Sequence, residues 1–457
     1  MLVTLLSALL LIGQVTAQYS GHTGPITPLS SRKTLCNVLD YGGVADNSTD
    51  ISAAITATYK NCVAVNTGSI LYVPPGTYAL KNSVQIKHGA NWAFRLDGLI
   101  VAHATGDFDQ NFIQFIDVSD FEFYSSNGKG AINGQGYLWR IANGIQGGPR
   151  MVRFTDSSDF SFHNVLLVDS PAFHLVVDNG LNVEIANVTI RAVGLGGSDG
   201  IDIYATNYHV HDVQVSNRDE CVSVKNLSKN ATIERIRCNQ SGALSIGSLK
   251  SGTAVENILI QDIDVYESGA FVIKTKPSPA GSDAGYVKNV MVRRFRTWRS
   301  VYTVHIDQYW ESSGLADGAG VQLSNITFSD FKGSNVDGYT RGYVVIEGSD
   351  YAPPRDIHFD KFFMFSERIY KGIGELNKCW NGYGTGECLG AGKAYTSGYE
   401  SIITQTAAPT GWTAPANPTW ALTTAYGTFT PIPVYTPVPT YPLDFKDYGL
   451  VAKPKTT

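Results

Sequence analysis

Charged side chains are scarce in this sequence. They make up 16% of its 457 residues, and the formal net charge is −5. So small a net charge on a chain of this length offers little electrostatic attraction for nucleic acid or for an anionic membrane. Beyond the first residues, no apolar run is long enough to span a bilayer. We therefore expect a soluble protein with neither a nucleic-acid nor a membrane partner, and the 43% of apolar residues predicts a large core.

The N-terminus and the cysteines predict secretion. Leu5 to Ile12 form a short apolar run that leads to small residues at Val15 to Ala17, so residues 1–17 are predicted to be a signal peptide. Six cysteines fit an oxidising compartment. Sequential pairing is the simplest connectivity, with free buried thiols as the alternative, and it gives the disulfides Cys36–Cys62, Cys221–Cys238 and Cys379–Cys388. Sequons, each a weak signal of glycosylation, occur at Asn47, Asn187, Asn226, Asn230, Asn239 and Asn325.

The middle of the chain repeats. Apolar residues recur at i, i+2, i+5 and i+7, with clear copies that begin at Val183, Tyr208, Ala231 and Ile258 and weaker copies at Phe160, Val290, Ile326 and Ile357. Short period-2 runs repeated in this way predict a β-solenoid, in which each coil buries its apolar face only by stacking on its neighbours. We predict an all-β, right-handed parallel β-helix. A β-propeller would need more regular repeats of about 40 residues. A β-sandwich would not keep the same spacing of apolar residues from strand to strand over so long a segment.

The two ends of the solenoid differ from its middle. Asp50 to Tyr59 has helical spacing with Asp50 as the N-cap, which predicts a helix that covers the open sheet edge. From about Gln405 proline and threonine dominate, which predicts an extended or disordered tail. A tail packed along the solenoid is the alternative, because Trp412 and Trp420 could dock. The predicted domains are a β-helix over 18–400 and a tail over 401–457.

Acidic residues form two short runs about one coil apart. Asp199 and Asp202 belong to the first, and Asp219 and Glu220 to the second. When the apolar pairs of successive strands are aligned, Asp202, Ser223, Ser245, Val272 and His305 fall in one outward column, and Tyr204, Lys225, Gly247, Lys274 and Asp307 in the next. The carboxyl groups of Asp199 and Asp219 would then lie roughly 6–9 Å apart, which suits a general acid and a general base on either side of a glycosidic bond.

Other interpretations of these acids remain open. Carboxylates at strand starts can cap turns or bind calcium. Basic neighbours argue against a bound cation and for an anionic substrate; they are Arg218, Lys225, Lys250 and Lys274. Lys225 and Lys274 could equally be solvated lysines, and His305 could be a structural histidine. We predict Asp202, Lys274, Lys225, Arg218 and His305 as substrate-binding residues.

At this point the chain resembles glycoside hydrolase family 28 over roughly residues 36–370. The segments 40–43 and 72–78, together with Asp50, are similar to the N-terminal signature of that superfamily. Residues 197–200 resemble the family's Asn-Thr-Asp-Gly motif, and 219–221 its Asp-Asp motif, with Glu220 in place of the second aspartate. Two motifs depart from those of polygalacturonases: Gly242 stands where Gly-His-Gly has its histidine, and only Lys274 remains of Arg-Ile-Lys. The pattern is similar to the rhamnogalacturonase branch.

The resemblance implies a function and roles. Asp219 would be the general acid, Asp199 and Glu220 would hold the water and share the base role, and Asp202 would orient that group or bind sugar. The implied protein is a secreted, monomeric endo-hydrolase without cofactor or metal. It would cleave the α-1,2 galacturonate–rhamnose linkages of rhamnogalacturonan I in pectin, with inversion. A polygalacturonase-type or exo-acting hydrolase, a calcium-dependent pectate lyase and a non-catalytic polysaccharide binder remain as alternatives.

Overall fold

A computed structural model describes residues 21–144, 147–311, 318, 320–436 and 439–445. The predicted signal peptide and the tail from residue 446 onward lie outside the described residues. Among the residues that are described, no helix combines the length and the apolarity needed to cross a membrane.

Strands make up most of the described chain. There are two α-helices, α1 (Ser52–Thr58) and α2 (Gly136–Asn143), a π-helical turn at Tyr59–Val63 and 3₁₀ turns at Leu29–Ser31 and Val38–Tyr41. The strands, in chain order, are β1 (Thr34–Asn37), β2 (Ser69–Val73), β3 (Thr77–Asn82), β4 (Val84–Lys87), β5 (Ala90–Leu96), β6 (Leu99–Asp107), β7 (Asn111–Ile116), β8 (Ser119–Tyr124), β9 (Ala131–Asn133), β10 (Arg150–Thr155), β11 (Ser158–His163), β12 (Leu166–Val168), β13 (Leu175–Arg191), β14 (Ile201–Ser216), β15 (Val222–Val224), β16 (Lys229–Asn239), β17 (Leu244–Leu249), β18 (Ala254–Tyr266), β19 (Gly269–Thr275), β20 (Gly285–Ser300), β21 (Tyr302–Asp307), β22 (Val321–Asn335), β23 (Val344–Glu347), β24 (Arg355–Ser366), β25 (Glu375–Trp380), β26 (Gly384–Thr385) and β27 (Glu400–Gln405).

The predicted right-handed parallel β-helix is confirmed. From β2 to β9 each strand pairs in parallel with the strand three places later, as in the series β2–β5–β8–β11 and β3–β6–β9–β12. This pairing means that three strands complete one coil. One face of the helix is the stack β4–β7–β10, which continues through the first parts of β13 and β14 and then through β15, β17, β19, β21, β23 and β25. We call this stack the site face.

The repeat seen in the sequence corresponds to a bend within each long strand. Val183 and Ile185 lie on one side of a corner residue, Asn187, and Val188 and Ile190 on the other, and all four apolar side chains are buried. Asn187 has φ +55°, a left-handed conformation that asparagine tolerates. Because the chain turns there, both apolar pairs point into the same core. Aspartates occupy the matching corners at 212 and 262.

A helix lies at the front end, as predicted, but it begins at Ser52 and continues from α1 into the π-helical turn Tyr59–Val63. Its N-cap is Ile51 rather than Asp50. The Asp50 carboxylate instead accepts hydrogen bonds from the backbone N–H of Ser52 at 3.2 Å and of Lys81 at 2.8 Å, so it joins the helix to β3. Ile55 is buried in the same core as the strands. All three predicted disulfides are confirmed: Cys36–Cys62, Cys221–Cys238 and Cys379–Cys388.

The back end differs from its prediction. β27 pairs antiparallel with β25, so the solenoid runs to Gln405 rather than to residue 400. Residues 406–436 and 439–445, which we call the strap, are extended and lie along the solenoid. The Trp412 indole N–H donates to the carbonyl of Gly333 at 2.8 Å, and the N–H of Leu443 donates to Asp212 at 2.9 Å. The alternative of a docked tail is therefore the one found in these segments.

The strap also bears on one sequon. Asn239 is 1% exposed, and its amide N–H donates to the strap carbonyl of Trp420 at 3.5 Å. A glycan has no room there, so the prediction of glycosylation at Asn239 is wrong for the folded chain. Three other sequon asparagines bond through their side-chain amides to asparagines one coil away, for example Asn325 to Asn289 at 2.8 Å; the other two are Asn187 and Asn230. Glycosylation at the remaining sequons stays a prediction.

Candidate active site

The strand register brings the two acidic runs together. Asp202 pairs with Ser223, Ser223 with Ser245, Ser245 with Val272 and Val272 with His305, as the aligned columns predicted. Asp199 lies in the loop before β14, and Asp219 and Glu220 lie in the loop before β15. The two loops are joined by backbone bonds, since the N–H of Gly200 donates to the carbonyl of Glu220 at 2.8 Å.

Two residues that sequence reasoning missed hold these loops in place. The Asn217 side-chain amide donates to the carbonyls of Ser198 and Glu220, both at 2.9 Å, so one side chain bridges the two coils. His174, fully buried, lies 3.0 Å from the carbonyl of Asp199 through its Nδ1. Burial lowers the pKa of His174 to about 4, so the ring is neutral there. Neither residue lies in a motif, and no sequence signal marked them.

The carboxylates of the two acidic runs converge. One oxygen from each of Asp199, Asp219 and Glu220 lies within 4.8 Å of the others. The expected separation for Asp199 and Asp219 was 6–9 Å, a value taken from the spacing of extended strands. That value refers to whole carboxyl groups, so a distance of up to 4.8 Å between their nearest oxygens does not contradict it, and the separation of roughly 6–9 Å stays a prediction.

Burial and mutual repulsion favour a proton within this cluster. Asp199 is 4% exposed. Burial, followed by the negative charges of Asp202 and Asp219, raises the pKa of Asp199 well above its usual range. Burial also raises the pKa of Asp202, against the opposing effect of the Lys225 ammonium. The cluster therefore retains a proton at a pH where isolated carboxyl groups have lost theirs.

Asp219 has a different environment from the other acids. It is only partly buried, and its carboxylate accepts hydrogen bonds from the backbone N–H of Gly197 and, at 3.0 Å, from its own neighbour Glu220. These bonds fix the direction of the side chain. Of the three converging acids it is the most accessible from solvent.

Two lysines form ion pairs with the acids. Lys225 lies 3.2 Å from Asp202 and 4.0 Å from Asp199. Lys274 forms an ion pair with Glu220, and its ammonium lies 4.6 Å from the centre of the Trp310 ring. Burial lowers the pKa of Lys274, although the acids around it act in the opposite sense. These lysines therefore neutralise part of the negative charge of the cluster.

The three acids are also close enough to act as ligands for a cation. The Lys274 ammonium already contacts Glu220, and Lys225 lies beside Asp199, so both would repel a divalent ion. A group made of His305, Asp307 and Glu347 has a similar spacing further along the site face, and another is formed by Glu184, His209 and His211.

Two predicted substrate-binding residues lie apart from this cluster. Arg218 is exposed and lines a separate depression with Gln240, Glu267 and Arg299. His305 is in the predicted column, but its ring contacts Arg341, and its Nε2 lies 3.4 Å from Glu347. The structure thus brings together Asp199, Asp202, Asp219, Glu220, Lys225 and Lys274, and it places Arg218 and His305 outside that group.

A partly buried tyrosine lies beside the position where polygalacturonases carry histidine. The Tyr302 hydroxyl donates to the carbonyl of Gly242 at 3.0 Å, and the N–H of Gly242 donates to the carbonyl of Asp219 at 2.7 Å. The Arg341 guanidinium lies 3.9 Å from the centre of the tyrosine ring. Burial, together with the Asp219 charge, raises the pKa of Tyr302 to about 12, so the hydroxyl stays protonated.

The space at Gly242 is narrow. A Cβ there would lie 3.0 Å from the carbonyl carbon of Asp219, which is tighter than ordinary contact. At Gly269, one coil on, a Cβ would lie 2.4 Å from a ring atom of Tyr302. Gly269 therefore makes room for the tyrosine ring, and a histidine at 242 would press on the backbone of Asp219. The sequence could not reveal this, because the contact joins three different coils.

These features define a class of protein. Converging carboxylates, one cluster proton and flanking cations on a rigid sheet are the acid/base equipment of a glycoside hydrolase. The chain belongs to glycosyl hydrolases family 28, whose family model matches residues 62–371.

Relatives and solved structures agree with that assignment. The chain is 42% identical to a probable rhamnogalacturonase A of Aspergillus oryzae, over 92% of this chain and 87% of that protein. It is 41% identical to rhamnogalacturonase A of Aspergillus aculeatus, over 92% of each. An endo-xylogalacturonan hydrolase from Aspergillus tubingensis has the same fold, with a TM-score of 0.65 at 23% identity over 73% of this chain and 93% of that one. An exopolygalacturonase from Thermotoga maritima matches with a TM-score of 0.63 at 16% identity. The match covers 85% of this chain and 97% of that one.

Proposed function

We propose that this protein is a secreted endo-hydrolase that cleaves the α-1,2 galacturonate–rhamnose linkages of rhamnogalacturonan I in pectin. The observation that carries the proposal is the convergence of Asp199, Asp219 and Glu220 within 4.8 Å of one another on the site face. The substrate comes from the relatives, which are named rhamnogalacturonases and match over nine-tenths of the chain. Three disulfides fit secretion into an oxidising compartment.

In the proposed mechanism the bond breaks in a single displacement. Asp219, the most accessible of the three acids, protonates the rhamnose oxygen as it leaves. Glu220 is held as a carboxylate by Lys274 and, with Asp199, positions the water and takes its proton. Before substrate binds, the shared proton resides on Asp199, whose pKa is raised. The nearest oxygens of Asp199 and Asp219 lie within 4.8 Å of each other, a gap that one bridging water would span to carry the proton to Asp219. Water attack on the opposite side of the sugar would give inversion at the galacturonate anomeric carbon.

The cations around the cluster fit an anionic sugar. Lys225 and Lys274 lie beside the reacting acids and could share their charge with a galacturonate carboxylate. Arg218 and His305 would contact sugar residues further from the cleaved bond, if the polysaccharide extends over the surfaces that they line. Gly242 stands where the polygalacturonase motif has its histidine, and the Tyr302 hydroxyl donates to the carbonyl of Gly242. The absence of that histidine favours rhamnogalacturonan over homogalacturonan as the substrate.

The acid assignment is tested by Asp219→Asn, with the exposed Asp283→Asn as a control. Release of reducing ends from de-esterified rhamnogalacturonan I should fall by about 10²-fold or more in Asp219→Asn, because a general acid contributes that much. The control should keep full activity, and circular dichroism should show both variants folded. Full activity in a folded Asp219→Asn protein would contradict the assignment.

The alternatives give different products. A polygalacturonase-type enzyme would cleave polygalacturonate at least as well as rhamnogalacturonan. An exo-acting enzyme would release one small product from the first minutes, whereas endo cleavage gives a broad range of oligosaccharides. A binder without activity would retain polysaccharide and release nothing, and a calcium-dependent lyase would stop in chelator. We expect endo products that are unchanged by chelator, and a monomer in solution.

A further inference from the structure

A partly open cavity lies between the strap and the solenoid, on a different face from the acids. Its volume is about 250 Å³, and we call it the strap cavity. The solenoid contributes Arg191, Gln214 and Asn239, which lie at or near the ends of β13, β14 and β16, and the strap contributes Trp420 and Tyr426. None of the converging acids lines it. The volume is below that of pockets which hold drug-sized ligands, about 300–1,000 Å³, so only a small molecule or one sugar residue would fit.

The strap cavity has polar atoms that lack partners among the described residues. Two are donors, Nη2 of Arg191 and the indole N–H of Trp420, and two are acceptors, Oε1 of Gln214 and Oδ1 of Asn239. The orientation of the Asn239 amide is fixed, because its N–H donates to the carbonyl of Trp420 at 3.5 Å. Buried polar groups in folded proteins are almost always hydrogen-bonded, so four in one cavity indicate that something polar occupies it.

The charge of Arg191 narrows the choice of occupant. Arg191 is 2% exposed, and its Nη1 donates to two strap carbonyls, of Pro433 at 2.8 Å and Val434 at 2.6 Å. Within the described ranges no carboxylate forms an ion pair with it. Burial lowers its pKa, and the groups that oppose this effect are tyrosines. A buried guanidinium that has no carboxylate partner is stabilised by an anion.

Donors and acceptors together select one kind of ligand. Arg191 and Trp420 require an acceptor with negative charge, and Gln214 and Asn239 require hydroxyl donors. A sugar acid supplies both, with a carboxylate on one carbon and hydroxyls on the others. We propose that the strap cavity is a second binding site, in which Arg191 binds the carboxylate of a uronate residue and the two amides accept its hydroxyls. The choice of galacturonate as that uronate rests on the proposed function.

The proposal is tested by calorimetric titration with free galacturonate, which is not turned over. Neutral galactose and inorganic phosphate serve as comparison probes, and wild type is compared with Gln214→Leu, Arg191→Lys and Lys274→Met. Gln214→Leu removes an acceptor that the fold itself does not use, so this variant is expected to fold. Lys274→Met alters the site face and leaves the strap cavity intact.

We expect galacturonate to bind the strap cavity of wild type and of Lys274→Met, and to bind at least tenfold more weakly in Gln214→Leu and Arg191→Lys. Galactose should not bind measurably, and phosphate should bind more weakly than galacturonate. Equal affinity in wild type and Gln214→Leu would overturn the proposal, and so would loss of all binding in a Lys274→Met protein that circular dichroism shows to be folded. Phosphate as tight as galacturonate would overturn the assignment to a sugar acid and leave a simple anion site. Because no step requires cleavage, these outcomes are independent of whether rhamnogalacturonan is the substrate.

Discussion

Replacing Lys274 by methionine should damage both the stability and the activity of the protein. The Lys274 and Glu220 side chains are 10% and 9% exposed, and they form an ion pair inside the acid cluster. Removing one partner of a buried pair leaves the other charge uncompensated, at a cost of about 3–5 kcal/mol in the free energy of unfolding. The contact between the ammonium and the Trp310 ring is lost as well.

A matched control lies two residues further along the chain. Lys276 pairs with Glu311 at 2.6 Å, but these side chains are 44% and 60% exposed. An exposed pair contributes only about 0–1 kcal/mol, so Lys276→Met should be nearly neutral. The two variants thus differ in the burial of the pair rather than in the type of substitution.

Urea unfolding and a pH–rate profile measure the two effects. In Lys274→Met the unfolding midpoint should fall. The acid limb of the profile should move to higher pH, since Glu220 without its lysine takes up a proton more readily. The rate at the optimum should fall by about 10²–10⁴-fold, as expected when the base is no longer charged. If Lys274→Met were as stable and as active as Lys276→Met, the ion pair would have no role and the base assignment would fail.

Two further substitutions test the environment of the acids. Gly242→Ala should lower the rate of cleavage, because its Cβ would press on the Asp219 backbone at 3.0 Å. Gly194→Ala should leave the rate unchanged, since its Cβ would meet its nearest neighbour at an ordinary 3.5 Å. Equal kinetics in the two variants would show that position 242 is not constrained. Asp199→Asn should raise the melting temperature more at pH 8 than at pH 4. The raised pKa of Asp199 means that the folded state binds the proton more tightly than the unfolded state, so wild type loses stability as pH rises above about 4. The same gain at both pH values would contradict the raised pKa.

Much of the fold could be predicted because it depends on a local period. The alternation of Ile201 and Ile203, and of Val222 and Val224, fixed which side chains face outward, and the coil-to-coil register followed from aligning those pairs. The disulfides followed from sequence proximity. The docking of the strap could not be predicted in the same way. Proline and threonine indicate an extended chain, but whether it docks depends on separate contacts such as that of Trp412 with Gly333.

The identity of the acids could also be predicted, but much of their environment could not. Asp199 and Asp219 are in recognisable runs, whereas Asn217 and Tyr302 act through neighbouring coils whose side chains a single strand does not reveal. Arg218 is adjacent to Asp219 in sequence, yet it lies in a different depression, because in a loop two successive side chains need not share a direction. Residue type thus predicted which side chains could act as acids or bases better than it predicted where those side chains lie.

Digestion of rhamnogalacturonan I in H₂¹⁸O, followed by mass spectrometry and early proton NMR of the products, tests the central claim most directly. The account predicts saturated oligosaccharides with rhamnose at the non-reducing end. It also predicts ¹⁸O on the anomeric carbon of the new reducing-end galacturonate, which should first appear as the β-anomer. Unsaturated products without ¹⁸O, or no cleavage at all by a folded protein, would contradict it.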